Sequence, residues 1–139
     1  MEGSVNVIVE GRQRAGAGEE WARSRTRARG ICRKLADGFA VIYEEKTEAG
    51  VVRTELGLHG GRLTVQRSGG IGLCLLLEPG QLREAPYETP YGTIPLEVLA
   101  KEVVTEFFPD ALSARAAYTL FSGGEPVSEN ELILRITPN

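Results

Sequence analysis

WARSRTRARG, residues 21–30, puts an arginine at every second position: Arg23, Arg25, Arg27 and Arg29. In a β-strand, side chains alternate between the two faces, so Trp21 and the four arginines share one face while Ala22, Ser24, Thr26 and Ala28 share the other. A helix would scatter the same arginines around its circumference. Four unpaired guanidiniums turned into a core would each cost on the order of several kcal/mol in desolvation. The spacing therefore predicts a strand with its arginines in water and its small residues inward. Gly30 is expected to break that strand, at a bulge or bend.

The same period of two runs through the chain. The apolar sets are Val5, Val7, Val9; Val52, Leu56, Leu58; Leu112, Ala114, Ala116, Tyr118, Leu120; and Leu132, Leu134, Ile136. Between them fall short glycine-based turn signals, such as ADG (36–38), HGG (59–61), SGG (68–70) and SGGEP (122–126). Short alternating strands with closely spaced turns predict an antiparallel sandwich or barrel. About nine strands are expected, in one domain over residues 1–139, because no linker, repeat or low-complexity tract interrupts the pattern. One segment is ambiguous. In residues 94–111 Leu96, Leu99, Val103 and Phe107 have helical spacing, although Ile94, Leu96 and Val98 alternate as a strand does.

Composition narrows the function classes. Formal net charge is −3, which argues against a general nucleic-acid binder. The charge is uneven: residues 1–34 carry eight Lys/Arg against four Asp/Glu, and the remainder eight against fifteen. No basic-then-apolar start suggests a signal peptide, and no apolar run is long enough to span a bilayer. A cytoplasmic protein with no membrane partner is expected, with Cys32 and Cys74 reduced. The two cysteines form no metal or redox spacing, and the single His59 falls in a turn, so no metal or cofactor is predicted.

Two further stretches carry polar chemistry. In GRLTVQRSGG (61–70), Arg67 continues the apolar face set by Leu63 and Val65. A cation there needs a carboxylate or hydrogen-bond acceptors. It either ties a strand end to a buried acid or anchors an anionic ligand. In PYETPYGTIP (86–95), Tyr87, Thr89 and Tyr91 alternate among three prolines and Gly92. Their hydroxyls either join Arg67 in an inward cluster or are ordinary edge residues.

At these residues the chain resembles the YwiB-like family, small bacterial proteins of unknown function. The features are Arg67 and Gly69 in QRSGG, a strand ending at Gly80 in EPG, then Tyr87, Thr89 and Gly92 in YETPYG. The FAVIYEE stretch (39–45) is similar to the family's third strand. The resemblance covers about residues 5 to 137. It implies a single antiparallel lipocalin- or calycin-like β-barrel of about 8–10 strands, and strand rather than helix for 93–106. The family brings no catalytic residues to carry over.

The expected function is a non-catalytic binding module for a small anionic or amphipathic ligand, with Arg67, Tyr87, Thr89 and Tyr118 as candidate contacts. The alternative is an RNA- or protein-contacting accessory using Trp21, Arg23, Arg25, Arg27 and Arg29. No catalytic triad, nucleophile elbow, phosphate loop, zinc spacing or dinucleotide fingerprint is present, so no enzyme is predicted. A homodimer is also expected, because Leu73, Leu75 and Leu77 face one way and Cys74 and Leu76 the other, and a strand apolar on both faces needs cover on both.

Overall fold

Twelve antiparallel strands and no helix make up the chain in the computed structural model, which describes residues 1–48 and 50–139. Five long strands come first: β1 (Gly3–Arg14), β2 (Ala22–Leu35), β3 (Gly38–Thr47), β4 (Gly50–His59) and β5 (Arg62–Gly69). Shorter strands follow: β6 (Gly72–Leu77), β7 (Leu82–Glu84), β8 (Tyr87–Thr89) and β9 (Gly92–Ile94). The last three, β10 (Glu97–Phe108), β11 (Ala111–Ser122) and β12 (Glu125–Pro138), are long again. They form one curled sheet in the order β7-β10-β11-β12-β1-β2-β3-β4-β5-β6-β8-β9. Most neighbours are consecutive hairpins; the link between β1 and β12 joins the chain's two ends.

The predicted alternation sets the inside. Val5, Val7, Val41, Leu56, Leu58, Leu63, Leu77, Leu112, Leu134 and Ile136 are each no more than 1% exposed. Fully burying a side chain of this size stabilises by about 1.5–3 kcal/mol. Cys32 lies in the same core, and burial pushes its thiol pKa up, as befits an inert structural cysteine. One end of the curl is sealed. There the Phe39 and Phe107 rings meet edge to face at 5.2 Å. The Thr105 hydroxyl donates to the His59 carbonyl at 2.6 Å and accepts from the Gly61 amide at 3.3 Å, tying β10 to the β4–β5 turn. The ladder itself does not close: β10 pairs with β11 and β7 and lies beside β5 and β6, with a single bridge from Ala100 to Pro79 beyond β6.

Two expectations need correction. The strand count is twelve, not about nine, because the turn-rich 78–96 region adds three strands of three residues each. Gly30 does not break β2, which runs on to Leu35 in unbroken register. Its role is close approach: a Cβ there would lie 2.5 Å from the Ile42 carbonyl oxygen. Register shifts lie elsewhere, between Ala100 and Glu102 in β10 and between Leu120 and Phe121 in the β11–β12 pair. The extra residue in β10 moves the buried set from Val98 and Ala100 to Val103, a step of three that imitates a helix in the sequence. Residues 97–108 are thus strand, as the family resemblance implies. On β6, Leu75 and Leu77 are buried, while on the outer face Cys74 is exposed and Leu76 is half-buried. No helix of the structure is long and apolar enough to cross a membrane.

Candidate ligand cavity and arginine face

Opposite the sealed end, the curl encloses a cavity of about 480 Å³. Its deep wall is apolar, with Leu56, Val65, Leu75 and Leu134. Two polar rows approach it from opposite sides. The first follows strand register: Tyr43 on β3 faces Thr54 on β4, which faces Arg67 on β5. Arg67 reaches Glu45 at 3.4 Å, and both side chains are partly buried. The inward register read from Leu63 and Val65 therefore holds, and the cation meets a carboxylate. Burial pushes the Tyr43 phenol pKa up; the neighbouring Thr54 hydroxyl and Arg67 cation pull it back, and Glu45 adds to the rise. Thr54 itself is 1% exposed, and its hydroxyl makes no hydrogen bond of normal geometry among the described residues.

The second row runs Gln13, Asn130, Tyr118 across β1, β12 and β11. The Asn130 amide donates to the Ser128 hydroxyl at 3.0 Å. Burial alone pushes the Tyr118 phenol up to about 12, so it is neutral and a hydrogen-bond donor over the ordinary pH range.

The four predicted ligand contacts do not form one cluster. Arg67 and Tyr118 line the internal cavity. Thr89 lines a separate outer cleft of about 630 Å³ beside the β5–β6 turn, where Arg67 forms part of the wall. The Thr89 hydroxyl is already engaged in its own hairpin, donating to the Gly92 carbonyl at 2.8 Å and accepting from the Tyr91 amide at 3.2 Å. Tyr87 sits opposite Leu73 in register and borders neither space. Tyr43, Thr54, Glu45 and Asn130 were missed by the sequence reading. Thr54 and Asn130 had a signal, since they fill the inward positions beside Leu56 and Leu132. Glu45 had a signal of the same kind, two residues beyond the buried Tyr43.

On the outer surface Arg23, Arg25, Arg27 and Arg29 are all exposed. None has a carboxylate within ion-pair distance among the described residues. Trp21 behaves differently. The guanidinium carbons of Arg12 and Arg14 each lie 4.4 Å from its ring centroid. Those two arginines are paired in turn, Arg14 with Glu129 at 2.6 Å and Arg12 with Glu131. The indole is thus clamped within the fold, which leaves less of its face for stacking on a base. Elsewhere His59 contacts Asp37 at 3.2 Å in the sealed end, and no three His, Cys, Asp or Glu side chains converge among the described residues.

β2 has two unlike halves. Gly30–Leu35 pair with β1 or β3, whereas beyond Tyr43 β3 parts from β2 and keeps only its pairing with β4. Ala22–Arg29 pair with β1 alone among the described residues. The cavity is lined by Ala22, Ser24 and Thr26 on one side and Tyr43 and Glu45 on the other, so it reaches the gap where β2 and β3 part.

The family described as Domain of unknown function (DUF1934) matches residues 7–134. The chain belongs to that family. Its structure is similar to the crystal structure of the ywiB protein from Bacillus subtilis, with a TM-score of 0.81 and 17% sequence identity over 99% of this chain and 93% of that one. At that identity the likeness establishes a shared fold. No curated protein matches the chain.

Proposed function

We propose that this DUF1934 protein is a non-catalytic binding module for a small amphipathic molecule held in the barrel. The observation that carries the reading is the cavity of about 480 Å³, apolar at depth and flanked by two polar rows. Small-molecule sites have this make-up: mostly apolar walls with a few placed polar groups. The apolar part of the ligand lies against Leu56, Val65, Leu75 and Leu134. Its acceptor-rich head lies between Arg67, Thr54 and Tyr118. A ligand carboxylate or sulfonate competes with Glu45 for the Arg67 guanidinium. Two unpaired thiols, Cys32 and Cys74, fit a cytoplasmic setting.

Titration with anilinonaphthalene sulfonate, an aromatic anion, tests this reading. Saturable fluorescence enhancement is expected, weakened about tenfold by Arg67→Ala, on the scale of a lost charge-assisted hydrogen bond. Native mass spectrometry of freshly purified protein would show any ligand carried from the cell. Enhancement equal in Arg67→Ala would remove Arg67 from the site, and no saturable binding by either protein would sink the reading.

A second reading, contact with another macromolecule through Arg23, Arg25, Arg27 and Arg29, is favoured by the exposure of all four and by the lack of any ion pair to them among the described residues, even to Glu10 opposite Arg25 in register.

A further inference from the structure

The unpaired arginines and the unpaired strand edge are the same residues. Ala22–Arg29 use one edge for β1 and leave the other without a partner strand among the described residues. At about 3.4 Å per residue this edge is some 25 Å long, as much as a typical strand. From this coincidence we propose that β2 accepts an extended acidic segment of another protein as an added strand, with carboxylates at alternate positions facing Arg23, Arg25, Arg27 and Arg29. The proposal rests on the second reading above and names the partner's chemistry.

Strand register makes the match. Residues opposite each other on adjacent strands share a face, so an incoming chain with acids at every second position meets the arginines one to one. Neighbouring arginines on the strand stand about 6.8 Å apart and repel by roughly half a kcal/mol per pair in water. A row of carboxylates removes that repulsion. The partner's other face points toward the cavity mouth, which β2 lines with the small residues Ala22, Ser24 and Thr26 and, at the rim, Arg23. Main-chain hydrogen bonds supply affinity and alternate side chains supply specificity, as in other cases of strand addition.

Three competing occupants fit less well. A second copy pairing β2 against β2 would set arginine opposite arginine, which is destabilising, so the same residues guard the edge against self-association. The chain's own Glu44–Thr47 do not fill the gap: they pair with Gly50–Arg53 on one edge and, among the described residues, with no strand on the edge toward β2. A single-stranded nucleic acid would satisfy the charges but not the strand edge, and Trp21 is already clamped by Arg12 and Arg14.

Fluorescence anisotropy with the full chain tests this. The probe is a labelled peptide of about eight residues alternating glutamate with threonine or valine. Its controls are a peptide of the same composition with the glutamates clustered, the alternating peptide N-methylated at every second amide, and an oligouridine of equal charge. The alternating peptide is expected to bind at least about tenfold more tightly than either control peptide. It should also lose about tenfold on Arg25→Glu with Arg27→Glu, a surface change that leaves the circular dichroism spectrum unaltered. Equal binding of alternating and clustered peptides, or tighter binding of oligouridine, would overturn strand addition and leave the arginine face as a polyanion surface. No binding of any probe at millimolar concentration would overturn both.

Discussion

The two halves of β2 share one strand and one register with β1, yet live in different surroundings. Gly30–Leu35 are hemmed in by β3, and Cys32 is 2% exposed. Ala22–Arg29 lack β3, and their inward side chains are only Ala22, Ser24, Thr26 and Ala28. The first half builds core; the second forms the rim of a cavity. The difference shows how a barrel divides labour along a single strand. Large apolar residues hold the sealed end, and small or polar ones keep the other end open at a cost in buried area.

Core truncation gives the largest contrast. Leu58→Ala, at the sealed end and 0% exposed, is expected to cost about 2–5 kcal/mol in urea unfolding. Leu132→Ala, beside the cavity and only partly buried, should cost less than half as much. Equal costs would mean that the open end is as tightly packed as the sealed one.

Gly30 marks the boundary between the halves. Gly30→Ala places a methyl 2.5 Å from the Ile42 carbonyl and forces β2 and β3 apart. A loss of about 1–3 kcal/mol is expected, typical of overpacking. The same substitution should extend fast amide exchange from the open half toward Cys32. Wild-type stability would show that the close approach is not needed.

The cavity end also has a pH signature. Tyr118 is held neutral by burial, with its pKa pushed up to about 12, while an unfolded tyrosine ionises near 10. The folded state therefore binds the phenolic proton more tightly, and stability falls as pH rises from 10 toward 12. Tyr118→Phe should flatten part of that fall. An ultraviolet titration showing every tyrosine ionising near 10 in the folded protein would contradict its burial.

The smallest effect belongs to the arginine face. Arg25→Glu with Arg27→Glu should change stability by no more than about 0.5 kcal/mol, since neither side chain has an ion-pair partner among the described residues. A large loss would show that these arginines hold the fold together.

The strands were legible wherever alternation was undisturbed. Val5, Val7, Leu56, Leu58, Leu134 and Ile136 were assigned inward from spacing alone and are buried. Legibility failed where a local event altered the period. The β10 bulge between Ala100 and Glu102 made a strand read like a helix despite the alternation of Ile94, Leu96 and Val98, and the family resemblance decided for strand. Gly30 read as a breaker because sequence cannot tell a bend from a close approach of two strands. The inward direction of Arg67 was legible, whereas its partner Glu45 depends on how β3 and β5 flank β4. The split between β2 and β3 had no signal in the residues of β2, whose alternation runs unchanged up to Gly30, where pairing with β3 begins.

The most direct test of the open half is residue-resolved hydrogen exchange of β2. Amides of Ala22–Arg29 should alternate, slow where they bond to β1 and fast where they face the gap, whereas those of Gly30–Leu35 should lack this alternation and exchange slowly where they bond to β1 or β3. Uniform slow exchange across both halves would mean that a strand already covers this edge, and would contradict the open barrel wall.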